Sequence, residues 1–219
     1  MSELLNTDVI SLTESYVRNE LEGEGSGHDW WHIHRVRNTA LTLAKEEQAD
    51  LFVVELAALL HDIADHKFHD GDDTVGPKVA KKWLQSLNVA SSAIDHVCTI
   101  IKDLSFKGAK VQTPMKTIEG KVVQDADRLD AIGAIGIARA FAYGGHKNRE
   151  LYNPEIKPTL HSSFDQYKKD EGHTINHFHE KLFLLKDRMN TKSAARMAEN
   201  RHLFMEEYVE RFLSEWEGK

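Results

Sequence analysis

Leu51-Phe-Val-Val-Glu-Leu-Ala-Ala-Leu-Leu60, followed at once by His61-Asp62, is the most apolar stretch of the chain and carries a single charge, Glu55. Ten such residues without glycine or proline read as a helix buried on nearly every side. A helix of that kind needs helical neighbours, and the flanking sequence supplies them. Only four prolines occur, Pro77, Pro114, Pro154 and Pro158, and between them apolar residues recur at three- and four-residue spacing. The pattern predicts helices near 7–21, 29–47, 51–65, 73–87, 92–104, 118–142, 174–188 and 192–216. Ser26-Gly-His-Asp29 and Ser92-Ala-Ile-Asp95 fit the capping box, a hydroxyl followed three residues later by an acid. The alternation of a half-buried strand finds no convincing match. The expected class is all-α, a single helical domain over 1–219. Its core is expected at about 25–142, a lid-like loop rich in Gly, Pro and Asn at 144–173, and C-terminal helices at 174–216.

Composition narrows the function classes. The chain has 219 residues, 41% hydrophobic and 29% charged, enough apolar mass for a core. With 28 Lys+Arg against 35 Asp+Glu the net charge is −7, so no basic field exists to hold a nucleic-acid backbone or an anionic membrane. Nucleic acid is an improbable partner. The one cysteine, Cys98, can form neither an internal disulfide nor a thiolate zinc site. The acidic start and the lack of a long apolar run predict a cytoplasmic protein. Long amphipathic helices would permit a homodimer. The 13 histidines are the unusual feature, because His is both the commonest metal ligand and the proton carrier near neutral pH.

Position separates these histidines. His-Asp occurs at His28-Asp29, His61-Asp62 and His69-Asp70. The first follows Gly-Ser-Gly at a helix start and the third precedes Gly71-Asp72-Asp73, so capping and turn chemistry explain both. His61-Asp62 instead closes the apolar helix, where adjacent polar groups cost several kcal/mol unless paired. In 29–47, His32 shares a face with Val36, Thr39 and Leu43, which turns its imidazole inward. In Val122-Val-Gln-Asp-Ala-Asp-Arg-Leu-Asp130, Asp127 shares a face with Val123, Ala131 and Ala134, and the glycines that follow allow a helix to come close. Two imidazoles and two carboxylates, each expensive to bury alone, offset one another around a divalent cation. Nitrogen and oxygen donors without thiolate favour five or six coordination with open positions, hence Mn²⁺, Fe²⁺, Co²⁺, Ni²⁺ or Mg²⁺ over structural Zn²⁺. A pair of hydrogen-bonded core histidines would satisfy the same spacing.

The order His32-Ile-His-Arg35-Val36, then His61-Asp62, then Asp125-Ala-Asp127-Arg-Leu resembles the HD-domain superfamily of metal-dependent phosphohydrolases, with its H…HD…D pattern on an all-α fold. More narrowly, Asp29-Trp-Trp-His32, the run His61-Asp-Ile-Ala-Asp65-His-Lys67-Phe68, Ser105-Phe106, the segment Asp125–Arg139 and His177-Phe-His-Glu-Lys-Leu resemble a bacterial branch similar to nucleotide pyrophosphohydrolases. The resemblance implies one divalent ion, Mn²⁺ first among candidates, on His32, His61, Asp62 and Asp127. The acid that precedes one residue and then Leu in the family selects Asp127 over Asp125. It also implies a catalytic role for Asp65, four residues after His61, where some relatives carry an acid that activates water. The substrate implied is a nucleoside (deoxy)triphosphate, split to monophosphate and pyrophosphate. Alternatives on the same site are a nucleotide monophosphatase, a phosphodiesterase, or a non-catalytic regulator holding structural metal. Ala64 stands where guanosine-tetraphosphate hydrolases of the superfamily have glutamate, and the extra histidines of dinuclear members find no match in spacing. Both departures favour one metal and a different substrate.

Phosphate needs positive charge. Arg35, Lys67, Arg128 and Arg139 are the cations nearest these motifs, and His177 with Lys181 shares a face behind the lid-like loop. These six are the expected substrate-binding residues. A solvated surface face is expected instead for His173 and His179.

Overall fold

The computed structural model describes residues 4–22, 29–63, 74–104, 113–160 and 172–219. These residues are helical with no strand among them, and no described helix is long and apolar enough to cross a membrane. They fall into two compact units, one within Met1–Ser105 and Thr113–Ala126, the other within Phe106–Gln112 and Asp127–Lys219.

The first unit is built around the apolar stretch. It forms α3 (Leu51–Leu60), in which Val54 and every residue from Leu56 to Leu60 are fully buried. Around it stand α1 (Asn6–Glu20), α2 (Trp30–Glu47), α4 (Val75–Ser86) and α5 (Ser91–Asp103), with α1, α2 and α5 packed on α3 and α4 on α5. Asp50 caps α3, its carboxylate accepting from Phe52 N at 2.9 Å and Val53 N at 3.3 Å. The single charge of α3 is neutralised where it meets its neighbours. Glu55 accepts from Arg37 of α2 at 2.6 Å and 2.8 Å, and Arg37 also reaches Glu14 of α1 at 2.8 Å. One guanidinium fork thus ties three helices. Tyr16 stacks on Trp83 at 4.1 Å, and the Trp83 indole donates to the buried Thr13 hydroxyl at 3.0 Å. Helix α6 (Ile118–Asp130) begins in this unit, where Glu119 accepts from the Asp50 backbone N–H at 3.1 Å.

The second unit holds α7 (Gly133–His146), α8 (Thr174–Glu180), a 3₁₀ segment Leu182–Arg188 and the long α9 (Lys192–Trp216). Its core is aromatic. Phe178 is fully buried and meets Phe141 and Tyr208, while Tyr208 and Phe141 both meet Phe212.

Several predicted boundaries need correction. The helix expected over 51–65 ends at Leu60, because the His61 imidazole turns back to take the Ala58 carbonyl at 2.9 Å, one of the carbonyls a helix end leaves without an internal partner. The helix expected over 118–142 is two helices. Ile132 is extended, Gly133 takes φ +74°, and the Arg201 guanidinium donates to the Leu129 carbonyl at the break. The helix expected over 174–188 changes to 3₁₀ at Lys181. The loop expected from 144 starts later, since α7 runs to His146. Gly144 makes that end possible, because a Cβ there would lie 2.3 Å from the Thr174 hydroxyl. The capping box expected at Ser92–Asp95 does not form. Asp29 itself caps α2, accepting from His32 N at 2.9 Å, while Ser26 lies outside the described residues. Helix α5 starts at Ser91 without a side-chain cap, and Asp95 pairs with Lys81 at 3.3 Å.

Gly133 yields a prediction. Its left-handed backbone costs an L-residue roughly 1–2 kcal/mol, and an added Cβ would lie 3.0 Å from the Arg201 side chain. Gly133→Ala is expected to lose about 1–3 kcal/mol in chemical denaturation. An unchanged midpoint would contradict the assigned backbone.

Candidate metal centre

Three helices deliver the polar groups. In α2, the Asp29 cap fixes the first turn, so His32, its third residue, enters the helix already oriented. Ile33, Val36 and Ala40 bury the same helix, and His32 is fully buried with them. His61 follows the last residue of α3 with its backbone still helical (φ −63°, ψ −34°), so its side chain projects from the end of the most apolar helix. Asp62 comes next, its side chain 14% exposed. Asp127 lies in α6, after the buried Val122, Val123 and Ala126 of the same helix.

The donors converge. His32 Nε2 lies 3.2 Å from His61 Nε2, and Asp62 Oδ2 lies 3.3 Å from the first and 3.6 Å from the second. One ligand atom each from His32, His61 and Asp127 fall within 4.8 Å of one another.

Hydrogen bonding tests whether this set fits a cation. The Ala58 carbonyl can only accept, so the 2.9 Å contact places the His61 ring proton on Nδ1 and leaves a lone pair on Nε2. That lone pair points at His32 Nε2. Two imidazole nitrogens and a carboxylate oxygen this close around the fully buried His32 are satisfied either by a proton on His32 Nε2 or by a cation among them. The spacing suits a metal, because ligands about 2.1 Å from one ion and at right angles stand about 3.0 Å apart. The Ala58 contact is also the outer bond that metal-bound histidines usually make to fix ring orientation. Sequence reasoning missed it, since any residue can supply a carbonyl. The available signal was position, three residues before a histidine at a helix end.

The other expected site residues are placed as follows. Asp65 and Lys67 lie outside the described residues. Arg35 is half-buried on α2, one turn beyond His32. Arg128 is buried and donates to the Arg188 carbonyl, and Arg139 pairs with the buried Asp130 at 2.8 Å. His177 is half-buried in α8, and Lys181 ends that helix with its N–H donating to the His177 carbonyl at 3.0 Å. Asp125, the competitor of Asp127, is fully buried.

His173 corrects an expectation. It is 2% exposed rather than solvated, because its Nδ1 caps α8 by accepting from Asn176 N at 3.2 Å. His179 is exposed as expected, and partial burial of its ring with His173 nearby holds it below the usual imidazole value.

The chain is similar to known proteins. Residues 30–132, which contain His32, His61-Asp62 and Asp127, match the HD domain family. Over 213 residues the chain is 42% identical to YpgQ of Bacillus subtilis, covering 95% of this chain and 93% of that protein. A protein of Lactobacillus plantarum superposes with TM-score 0.85 at 38% identity, covering 99% of this chain and 100% of that one. An HD-superfamily hydrolase of Bacillus thuringiensis does so with TM-score 0.76 at 43% identity, over 98% and 100%. YpgQ has been solved in complex with ADP, in a structure that matches with TM-score 0.74 at 38% identity over 94% and 97%. Likeness along almost the whole length, with the histidines and aspartates in the matched segment on three helices, places this chain in the HD superfamily of hydrolases.

Proposed function

We propose that the chain is a metal-dependent phosphohydrolase that converts a nucleoside (deoxy)triphosphate to the monophosphate and pyrophosphate. The observation that carries this reading is the donor set itself, with two imidazole nitrogens 3.2 Å apart and a carboxylate oxygen within 3.6 Å of both. His32, His61, Asp62 and Asp127 would hold one divalent ion, with Mn²⁺ the expected occupant. The bound ion would polarise a phosphoryl oxygen and supply an acidified water. ADP in the YpgQ structure supports a nucleotide as the ligand, and the net charge of −7 argues against a nucleic-acid strand.

The chain's own residues do the remainder. The Ala58 carbonyl holds the His61 ring in one tautomer. Asp65 takes the proton of the attacking water as its oxygen bonds to the α-phosphorus. The bond from that phosphorus to the bridging oxygen breaks, and the β- and γ-phosphates leave together as pyrophosphate. Arg35, Lys67, Arg128, Arg139, His177 and Lys181 are the proposed phosphate contacts.

Phosphorus NMR of a nucleotide panel incubated with Mn²⁺ tests the reading. Pyrophosphate and monophosphate in equal amounts are expected. Orthophosphate alone would move the assignment to a phosphatase, and no turnover of any member would overturn it.

A further inference from the structure

Gln124 has no place in the chemistry above, yet its carboxamide is fully buried in α6, one helical turn before Asp127. Its Nε2 lies 3.1 Å from the Thr113 carbonyl, 3.2 Å from the Leu104 carbonyl, 3.5 Å from the Asp103 carbonyl and 3.4 Å from the Thr113 hydroxyl. The three carbonyls can only accept, which fixes the nitrogen of the amide toward them. An amide nitrogen carries two hydrogens, and the two shortest contacts are to Leu104 and Thr113. Leu104 follows the last residue of α5, and Thr113 opens the run into α6. One side chain therefore ties the end of α5 and the approach to α6 to the turn of α6 that leads into the metal ligand.

We propose that Gln124 is a positioning residue for the metal centre, setting the register of α6 against α5 so that the Asp127 carboxylate meets the His32 and His61 nitrogens. The inference rests on the metal reading. A slide of α6 by one residue would move Asp127 by about 1.5 Å and turn it by about 100° about the axis. Ligand atoms that must lie within 4.8 Å of one another do not survive such a displacement and rotation. Apolar packing of Val122, Val123, Ala126 and Leu129 sets which face of α6 is buried but supplies no directional contact. Two directional bonds to fixed carbonyls restrain it strongly.

The test titrates Mn²⁺ into the full chain without nucleotide and reads the free ion by its electron paramagnetic resonance signal. Gln124→Met keeps the volume and loses both donors. Gln124→Asn keeps the amide but is one methylene too short to span both carbonyls. Leu84→Ala, at a fully buried position of α4, is the stability control. Both Gln124 variants are expected to bind Mn²⁺ about tenfold or more weakly, the size of effect that groups supporting metal ligands usually have. Leu84→Ala is expected to melt earlier at unchanged Mn²⁺ affinity. Wild-type affinity in either folded Gln124 variant would overturn the proposal, and so would an equal loss in Leu84→Ala. Failure of both Gln124 variants to fold would assign the residue to the core and overturn it too. If the wild-type chain bound no Mn²⁺, the metal reading would fall first and this inference with it.

Discussion

Asp127→Ala is expected to abolish turnover and to weaken Mn²⁺ binding more than 100-fold, beyond the roughly 10–100-fold of changes made behind a ligand. The reason lies in the geometry of the donors that remain. His32 is fully buried and His61 nearly so, both imidazoles being neutral when they ligate, so the carboxylates must balance the charge of a divalent ion. Asp62 alone would leave the site one negative charge poorer. The variant should still fold, because Asp127 is only half-buried and its backbone lies inside α6. Thermal unfolding separates the effects. A ligand at one hundred times its dissociation constant stabilises a fold by about 2.7 kcal/mol. Wild type should therefore melt later when Mn²⁺ is added, and Asp127→Ala should not. Retention of that increment in the variant would remove Asp127 from the ligand set.

Asp65→Asn should behave in the opposite way. The amide cannot take a proton from water but is nearly isosteric with the carboxylate. Mn²⁺ affinity should stay within about twofold while kcat falls roughly 10²–10⁴-fold, the usual contribution of a positioned general base. An unchanged kcat would show that some other group activates the water.

The two variants divide the proposed mechanism into holding the ion and using it. Gln124 belongs to the first part without touching the ion, which is why affinity and not rate is its readout. The Arg139 pair with Asp130 and the Arg128 bond to the Arg188 carbonyl belong to neither part alone. They hold the end of α6.

The candidate metal ligands stand out in the sequence because burying such groups is costly. An apolar helix that ends in His61-Asp62 presents an unsolved energetic problem, and the face His32 shares with Val36 presents another. The all-α class was legible for a similar reason, since α3 is apolar all round and a core helix of that kind needs helices about it. The break between α6 and α7 was not legible. Ala131-Ile-Gly-Ala-Ile-Gly keeps the residue types of a buried helix, and only the left-handed φ of Gly133, filled by the Arg201 side chain from α9, decides that the chain turns there. His173 was misread because capping depends on the fold beyond the helix, where the Asn176 N–H receives its Nδ1. Gln124 escaped notice because its partners are backbone carbonyls at residues 103, 104 and 113, and carbonyls leave no mark in a sequence.

Crystals of the chain soaked in Mn²⁺, with anomalous diffraction recorded on either side of the manganese edge, would test the account most directly. One peak is predicted, bounded by His32 Nε2, His61 Nε2 and the carboxylates of Asp62 and Asp127. A map without a peak there, or with its peak among other residues, would contradict it.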